Sequence, residues 1–450
     1  MANIKCQTPA LRTGASVTNG NICSLLFVIF FLTACQAPRV PLLAPGSPAP
    51  SPPALSPQPP APSAGPLGNP PGPVLVIAPL ANPGGEFLAG VGPIGDAETG
   101  FEWRLYRGRD ESWQRLAWPP EAIPRSLHAA PSGGPLFAVP FSNAIFGRGQ
   151  AWGLMRSTDG GRSWQQALEG LDDPYVMGLA LPPVCPARQV STGTPQRSAR
   201  PASPSPPGDQ GCPLFAITWY RGVYRSSDAG QSWEPMPLEA EGVEPSGGAN
   251  PYDLTLAVSP DYGASAGDGL LLASFSRGLY RRTAEAESWQ TVPLTVTAVA
   301  DDFDPPQAQL TAGAIAFSPD FGTDGTLYLY SGYAGLFRSA DRGVTWQSIN
   351  RRLPLPPPFV ADFHLAAASA QEVYVLLASN RMDAALKQPI RVLYRTRDAG
   401  RSWESLLDPP TLGWVSTFAL TRDAQDRALL HLGGSQGGVS SHVADSLSWD

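Results

Sequence analysis

Residues 156–164 read RSTDGGRSW, and the same pattern returns as RSSDAGQSW (225–233), RSADRGVTW (338–346) and RTRDAGRSW (395–403). Three weaker copies accompany them. RGLYRRTAEAESW (277–289) and GGVSSHVADSLSW (437–449) align without gaps to RGVYRSSDAGQSW (221–233), and RLYRGRDESW (104–113) aligns with a short deletion. The terminal tryptophans are Trp113, Trp164, Trp233, Trp289, Trp346, Trp403 and Trp449, spaced by 51, 69, 56, 57, 57 and 46 residues. The long spacing contains a low-complexity insertion between Cys185 and Cys212. Self-similarity at such a period constrains the fold more than any local propensity. Each copy is one supersecondary unit that buries its faces only against its neighbours.

Each unit carries versions of four short apolar runs. The first is exemplified by VLVIAPL (74–80) and LTLAVSP (254–260), and the second by CPLFAITW (212–219) and GTLYLYSG (325–332). The third is GLMRS, GVYRS, GLYRR or GLFRS, and the fourth starts at the tryptophan, as in SWEPMPL. Runs of five to eight residues bounded by Gly, Pro, Asp or Asn read as strands. The 46 glycines, 51 prolines and only 15% charged residues fit short strands joined by turns. The expected fold is all-β: a seven-bladed β-propeller over residues 74–450, with four antiparallel strands per blade. Six blades plus a stray hairpin is the alternative count. Because Trp449 is followed by one residue only, blade seven is expected to have a short outer strand and to close without a swapped strand.

The repeated motif joins the third strand to the fourth. Its aspartate can accept hydrogen bonds from backbone N–H groups just downstream. Its glycine can adopt the left-handed conformation that a tight turn needs. Ser157, Ser226, Ser339 and Thr396 can anchor the other side, and the tryptophan can pack between sheets with its indole N–H available for one partner. The motif resembles the Asp-box, or bacterial neuraminidase repeat, Ser/Thr-x-Asp-x-Gly-x-Ser/Thr-Trp. The resemblance implies a structural role for Asp159, Gly161 and Trp164; Asp228, Gly230 and Trp233; Asp341, Gly343 and Trp346; and Asp398, Gly400 and Trp403. The single-ring pattern is also similar to photosystem II assembly-factor propellers and to the ligand-binding propeller of sortilin.

Sialidases carry the same repeat, but their aromatic-Arg-Ile-Pro motif precedes neither Trp113 nor Trp164. Xyloglucanase-type glycosidases place their paired carboxylates across two tandem propellers, whereas this chain holds one set of repeats. The four histidines, His128, His364, His431 and His442, have no metal-ligand spacing. SPDFGTDG (318–325) resembles a calcium loop faintly, and a turn is expected there. No catalytic residue, metal or cofactor is expected.

The N-terminus reads as a targeting segment. Lys5 and Arg12 precede the apolar run LLFVIFFL (25–32), which is too short to span a bilayer stably. LTAC (32–35) resembles the lipobox of bacterial lipoproteins. That implies a signal peptide over residues 1–34, lipidation of Cys35 and a place in the bacterial cell envelope facing outside the cytoplasm; an ordinary secretory signal and a retained membrane helix are the alternatives. Residues 36–73 contain 15 prolines in 38 positions, so 35–73 are expected to form a disordered, extended tether reaching on the order of 100 Å. Loss of the signal leaves 29 basic against 38 acidic residues, a net charge of −9. That balance disfavours nucleic acid and charge-driven adhesion to anionic lipid. In an oxidising compartment Cys185 and Cys212 are expected to form a disulfide; two free thiols are the alternative.

In a propeller, loops between strands one and two and between three and four share one face, which carries the repeated turns and the Cys185–Cys212 insertion. The opposite face carries the inter-blade segments 239–253, 295–313 and 352–362. These offer Glu239, Glu241, Glu244, Tyr252, Asp301, Asp302, Phe303, Asp304, Phe359 and Asp362. Acids mixed with aromatics suit a protein surface, a basic peptide or a cation. The expected function is a non-enzymatic, monomeric, lipid-anchored scaffold for a protein or peptide. The alternative is a carbohydrate-active protein, either a glycoside hydrolase or a glycan-binding lipoprotein.

Overall fold

The computed structural model of the chain describes residues 70–80, 85–96, 100–110, 112–141, 151–183, 212–237, 254–262, 269–275, 278–284, 286, 288–292, 296–297, 313–331, 335–350, 353, 360–382, 389–406 and 414–449. Its strands form seven separate sheets, each a meander of antiparallel hairpins running outward from an inner strand. Blade one comprises β1 (Val74–Pro79), β2 (Phe87–Asp96), β3 (Gly100–Arg109) and β4 (Ser112–Arg115). Blade two comprises β5 (Ile123–Ala129), β6 (Leu136–Phe141), β7 (Met155–Ser157) and β8 (Gln165–Gln166). Blade three comprises β9 (Val176–Ala180), β10 (Leu214–Thr218), β11 (Gly222–Ser226) and β12 (Glu234–Met236). Blade four comprises β13 (Thr255–Val258), β14 (Leu270–Phe275), β15 (Gly278–Thr283) and β16 (Gln290–Thr291). After the two-residue strand β17 (Val296–Thr297), blade five follows with β18 (Ala314–Phe317), β19 (Leu327–Ser331), β20 (Gly335–Ser339) and β21 (Trp346–Ser348). Blade six comprises β22 (Val360–Ala367), β23 (Val373–Met382), β24 (Pro389–Thr396) and β25 (Glu404–Ser405). Blade seven comprises β26 (Val415–Arg422), β27 (Ala428–Gly434) and β28 (Val439–Val443).

The sheets stand in a ring. β1 packs on β5 and β26, β6 packs on β9, β13 lies between β9 and β18, and β22 lies between β18 and β26. The chain is therefore a seven-bladed β-propeller, and the count of six is excluded by the seventh sheet.

The core lies between the blades, and this explains why the strands read as nearly unbroken apolar runs. A blade is covered on both faces, so both sides of β10 or β19 are buried along their whole length. Each inter-blade core receives one repeat tryptophan. Trp164 fills the seam of blades one and two beside Val76, Leu105 and Leu127. Trp233, Trp289, Trp346 and Trp403 fill the next four seams in order. Trp449 packs against the core between blades six and seven. Trp113 closes the ring between seven and one, with Val74, Phe87 and Val439.

Closure uses the segment ahead of β1. Pro71 pairs with Gly437, the Gly438 N–H donates to the Pro70 carbonyl (3.2 Å), and the Ser416 hydroxyl donates to the Val74 carbonyl (2.5 Å). Blade seven has three strands among the described residues, and Trp449 pairs with Leu406 of blade six. The buried Arg395 guanidinium helps hold this end: it donates to Glu404 (2.6 Å) and Asp445 (3.0 Å) and lies over the Trp449 ring.

Two segments differ from the sequence expectation. The connection after blade four was expected to be loop only, but β17 runs parallel to β21 and adds a fifth strand to the rim of blade five. Its backbone groups find partners on an edge that would otherwise stay unpaired. Asp362 was expected in a loop but lies inside β22, opposite Ala378, with a register shift just before it. The bulge lets the inner strand begin three residues earlier than the apolar run FHLAAAS indicates. The segment 318–325 holds a single helical turn, Phe321–Asp324, in which Asp324 accepts from the Ser318 hydroxyl (2.6 Å) and the Thr326 N–H (2.6 Å). No helix among the described residues is long and apolar enough to cross a membrane.

Candidate functional site

The four full copies of the repeated turn have one geometry. In blade two the Ser157 hydroxyl donates to Asp159 Oδ1 (2.8 Å) and accepts the Gly161 N–H (2.8 Å). Asp159 then accepts the Ser163 N–H on Oδ1 (2.9 Å) and the Ser163 hydroxyl on Oδ2 (2.6 Å). Ser226, Asp228, Gly230 and Ser232 repeat this in blade three. Ser339, Asp341, Gly343 and Thr345 do so in blade five, and Thr396, Asp398, Gly400 and Ser402 in blade six. Both oxygens of each carboxylate are committed to the turn. Desolvation pushes Asp159 up, but the bonds from Ser163, Ser157 and the Arg162 backbone outweigh it and hold the carboxyl down at about 2. Asp228, Asp341 and Asp398 are lowered by the same balance.

The glycine is needed twice over. Gly230 has φ of +79°, and a Cβ there would lie 2.6 Å from Phe137 of the preceding blade. The turns also clasp neighbouring blades. Arg107 of blade one donates to the Gly160 carbonyl (3.1 Å), and Arg156 of blade two donates to the Ala229 carbonyl (2.8 Å). Each aspartate bonds within its own turn, with both carboxylate oxygens accepting there, and the bonds between blades run from arginine side chains to the turn backbone.

The opposite face holds a second cluster. Because the hairpins alternate, the turns between second and third strands and the segments entering each inner strand lie together there. In blade three they meet around Asp173. Its carboxylate, 1% exposed, accepts the Tyr175 N–H on one oxygen (2.9 Å) and the Tyr220 N–H on the other (2.6 Å). Burial pushes this carboxyl above the ordinary range, against the pull of those two N–H groups, the Thr218 hydroxyl and the Arg221 charge. The Trp219 N–H donates to the Tyr175 carbonyl (3.0 Å), and the Arg221 N–H donates to the Thr218 hydroxyl (3.3 Å). Two loops distant in sequence are thereby locked together.

The rings follow from that backbone. Trp219 is buried in the core between blades three and four, while Tyr175 and Tyr220 are half-buried on top of it. The tyrosine rings meet edge to face at 5.5 Å. Neither phenol hydroxyl has a hydrogen-bond partner among the described residues. Burial and nearby Asp173 raise both phenol pKa values, so both hydroxyls remain donors. A pair of pre-positioned tyrosines, apolar in body and polar at the tip, suits an interface. Blade seven repeats the arrangement in part: half-buried Trp414 also directly precedes its inner strand, and its carbonyl accepts the Ser435 N–H (3.0 Å).

Of the acidic and aromatic residues expected on this face, Tyr252, Asp301, Asp302, Phe303, Asp304 and Phe359 lie outside the described residues, as do Glu239, Glu241 and Glu244. The backbone of Asp362 lies in β22, and its side chain is outside the description. Cys35 and Cys185 also lie outside it, whereas Cys212 is disulfide-bonded. No group of three or more His, Cys, Asp or Glu able to hold a metal occurs among the described residues. Asp173, Tyr175, Trp219 and Tyr220 were not anticipated. The available signal was TWYRG (218–222), which places two adjacent aromatics where blade four has FSRG (275–278) and blade five SGYAG (331–335).

No protein-family model matches the chain, and no curated protein matches it. Solved structures with similar folds include YCF48 bound to a D1 peptide, at 18% identity, TM-score 0.43, over 88% of this chain and 100% of that one. The GH74 xyloglucanase of Xanthomonas campestris matches at 14% identity, TM-score 0.40, over 84% and 66% respectively. Sqt1 of Saccharomyces cerevisiae matches at 10% identity, TM-score 0.44, over 86% and 99%. The ring itself rests on the chain's own seven sheets.

Proposed function

We propose that this chain is a non-enzymatic binding propeller, held by a lipid on Cys35 outside the cytoplasm of a bacterial cell. It presents the face opposite its repeated turns to a protein or peptide partner. One observation carries the reading: Tyr175 and Tyr220 form a half-buried pair whose hydroxyls have no partner among the described residues, fixed by a carboxylate that is itself buried. Burying an acid to hold two backbone N–H groups is costly, and the expense goes into immobilising two aromatic side chains at the surface. Rigid aromatics bind with little loss of rotamer freedom. The repeated aspartates are consumed by their turns, which leaves this face as the working one.

The test is capture from solubilised envelope membranes with the wild-type chain beside the Tyr175→Ala/Tyr220→Ala double variant. The same defined protein is expected in the wild-type eluate and is depleted at least tenfold by the double variant. Identical eluates, or measurable turnover of sialyl or glucan substrates by the wild type, would overturn the reading.

A further inference from the structure

Blades one to six follow one rule at their outer edge. The residue three positions after each repeat tryptophan is apolar: Leu116, Ala167, Met236, Val292, Ile349 and Leu406. In five of these blades its N–H donates to the carbonyl of a third-strand residue, as Leu406 does to Leu393 (2.8 Å) and Ile349 to Leu336 (2.9 Å). In blade three, Met236 pairs with Val223. The side chain enters the core shared with the next blade, Leu116 between blades one and two and Leu406 between six and seven.

Blade seven departs from this rule. The alignment of residues 437–449 with 221–233 puts Val439 at the place of Val223. Val439 is buried with Trp113 and Phe87 in the seam to blade one. β28 pairs with β27 on its inner side, and among the described residues no strand pairs with its outer side. That seam also holds no counterpart of Leu116 or Leu406 among the described residues. Beyond β28 the backbone turns to the neighbouring blade, where Trp449 pairs with Leu406.

This edge has a chemistry of its own. Edge strands are commonly kept from pairing by charged residues or proline. β28 reads VSSHV and has no Lys, Arg, Asp, Glu or Pro. In the other six blades an arginine stands two places after the Val439 counterpart, opposite a glutamine or glutamate, from Arg107 and Gln114 to Arg395 and Glu404. In blade seven the exposed Ser441 stands there. The edge therefore suits a strand with an apolar side chain opposite Val439 and an uncharged one opposite Ser441.

We propose that the outer side of β28 is a docking edge for an extended segment of a protein partner. The segment runs antiparallel to β28 and supplies the fourth strand of blade seven, a case of β-strand addition. Its apolar residue lies opposite Val439, donates its N–H to the Val439 carbonyl and takes the place in this seam that Leu116 takes one blade on. Main-chain bonds supply affinity, and the one apolar side chain supplies selectivity. The edge lies on the rim of the ring, so the proposal does not depend on the Tyr175–Tyr220 face.

The experiment uses the purified full chain and a fluorescein-labelled peptide of residues 347–353, QSINRRL, whose Ile349 is the edge residue of blade five. Fluorescence anisotropy measures binding, and amide hydrogen exchange locates it. Saturable binding is expected, with exchange slowed at Val439 and Ser441 and unchanged in the other blades. Within the peptide, Ile349→Asp removes the apolar side chain, and an N-methyl group on the Ile349 nitrogen removes only the main-chain donor. Each should weaken binding by about tenfold, and neither touches the folding of the protein. Absence of saturable binding overturns the proposal, as does equal affinity of the N-methyl peptide or protection outside β28. Slow exchange of both amides in the free monomer also overturns it, because the chain would then cover its own edge. So does a dimer in which β28 is protected without peptide.

Discussion

The indole N–H of Trp233 in blade three donates to the carbonyl oxygen of Ala167 in blade two, 3.0 Å away. Trp403 makes the equivalent bond to Ile349 across the seam of blades six and five (3.3 Å). Trp346 fills the same kind of seam, but its buried Nε1 has no partner among the described residues. Trp233→Phe should therefore cost about 1 kcal/mol more than Trp346→Phe, because only the first strands a buried carbonyl. Chemical denaturation of the two variants measures the difference. Equal losses would mean that the seam depends on ring volume alone.

The turn aspartates give a second expectation. Their folded-state pKa lies below the unfolded value of about 3.9, at about 2 for Asp159. Their contribution is complete above the unfolded value and is lost as pH falls toward 2. Asp159→Ala removes the acceptor for the Ser157 and Ser163 hydroxyls and the Ser163 N–H. It should cost about 1–2 kcal/mol at neutral pH, and the cost should shrink near pH 2. Thermal melts across that range test this, and partner capture by the variant should match the wild type.

His431 predicts a different window. Its ring lies between Thr421 Oγ1 (2.7 Å) and Ser441 Oγ (2.8 Å) and against Phe87 of blade one. Burial, aided by the charge of His442, lowers its pKa to about 4. The unfolded chain binds the proton near pH 6.5 and the folded chain does not, so stability falls as pH drops from about 6.5 to about 4, by up to about 3 kcal/mol. His431→Gln should lose less stability over that interval. A variant as acid-sensitive as the wild type would exclude His431 as the cause.

Asp173→Asn isolates the anchor beneath the tyrosines. An amide has one acceptor oxygen, whereas the carboxylate accepts the Tyr175 and Tyr220 N–H groups on different oxygens. One N–H is left facing an NH2 group, at a cost of about 1–3 kcal/mol. Amide hydrogen exchange at Tyr175 and Tyr220 should accelerate, and partner capture should weaken although no surface side chain has changed. Unaltered exchange and capture would show that the loops hold without this carboxylate.

The ring was legible because its signals are local. Ser157, Asp159, Gly161 and Ser163 bond to one another within a few residues, so their order in the chain is already their geometry. The site was not legible in that way. The acids sought on the inter-blade segments lie almost wholly outside the described residues, and Asp362 proved to belong to a strand. The tyrosine pair depends on Asp173 reaching Tyr220 across 47 positions of chain, and no pattern within either loop specifies that meeting.

By itself the sequence determined the architecture: seven units marked by a recurring tryptophan, four of them with the full aspartate turn, cannot bury their apolar strands except against one another. Only the tertiary structure decided how the ring closes, with Ser416 bonded to Val74 across 342 positions and Pro71 paired to Gly437. It also decided which aromatic side chains share a face. Closure and face depend on contacts between segments far apart in the chain, and their loop-closure cost is met only when all the blades pack together.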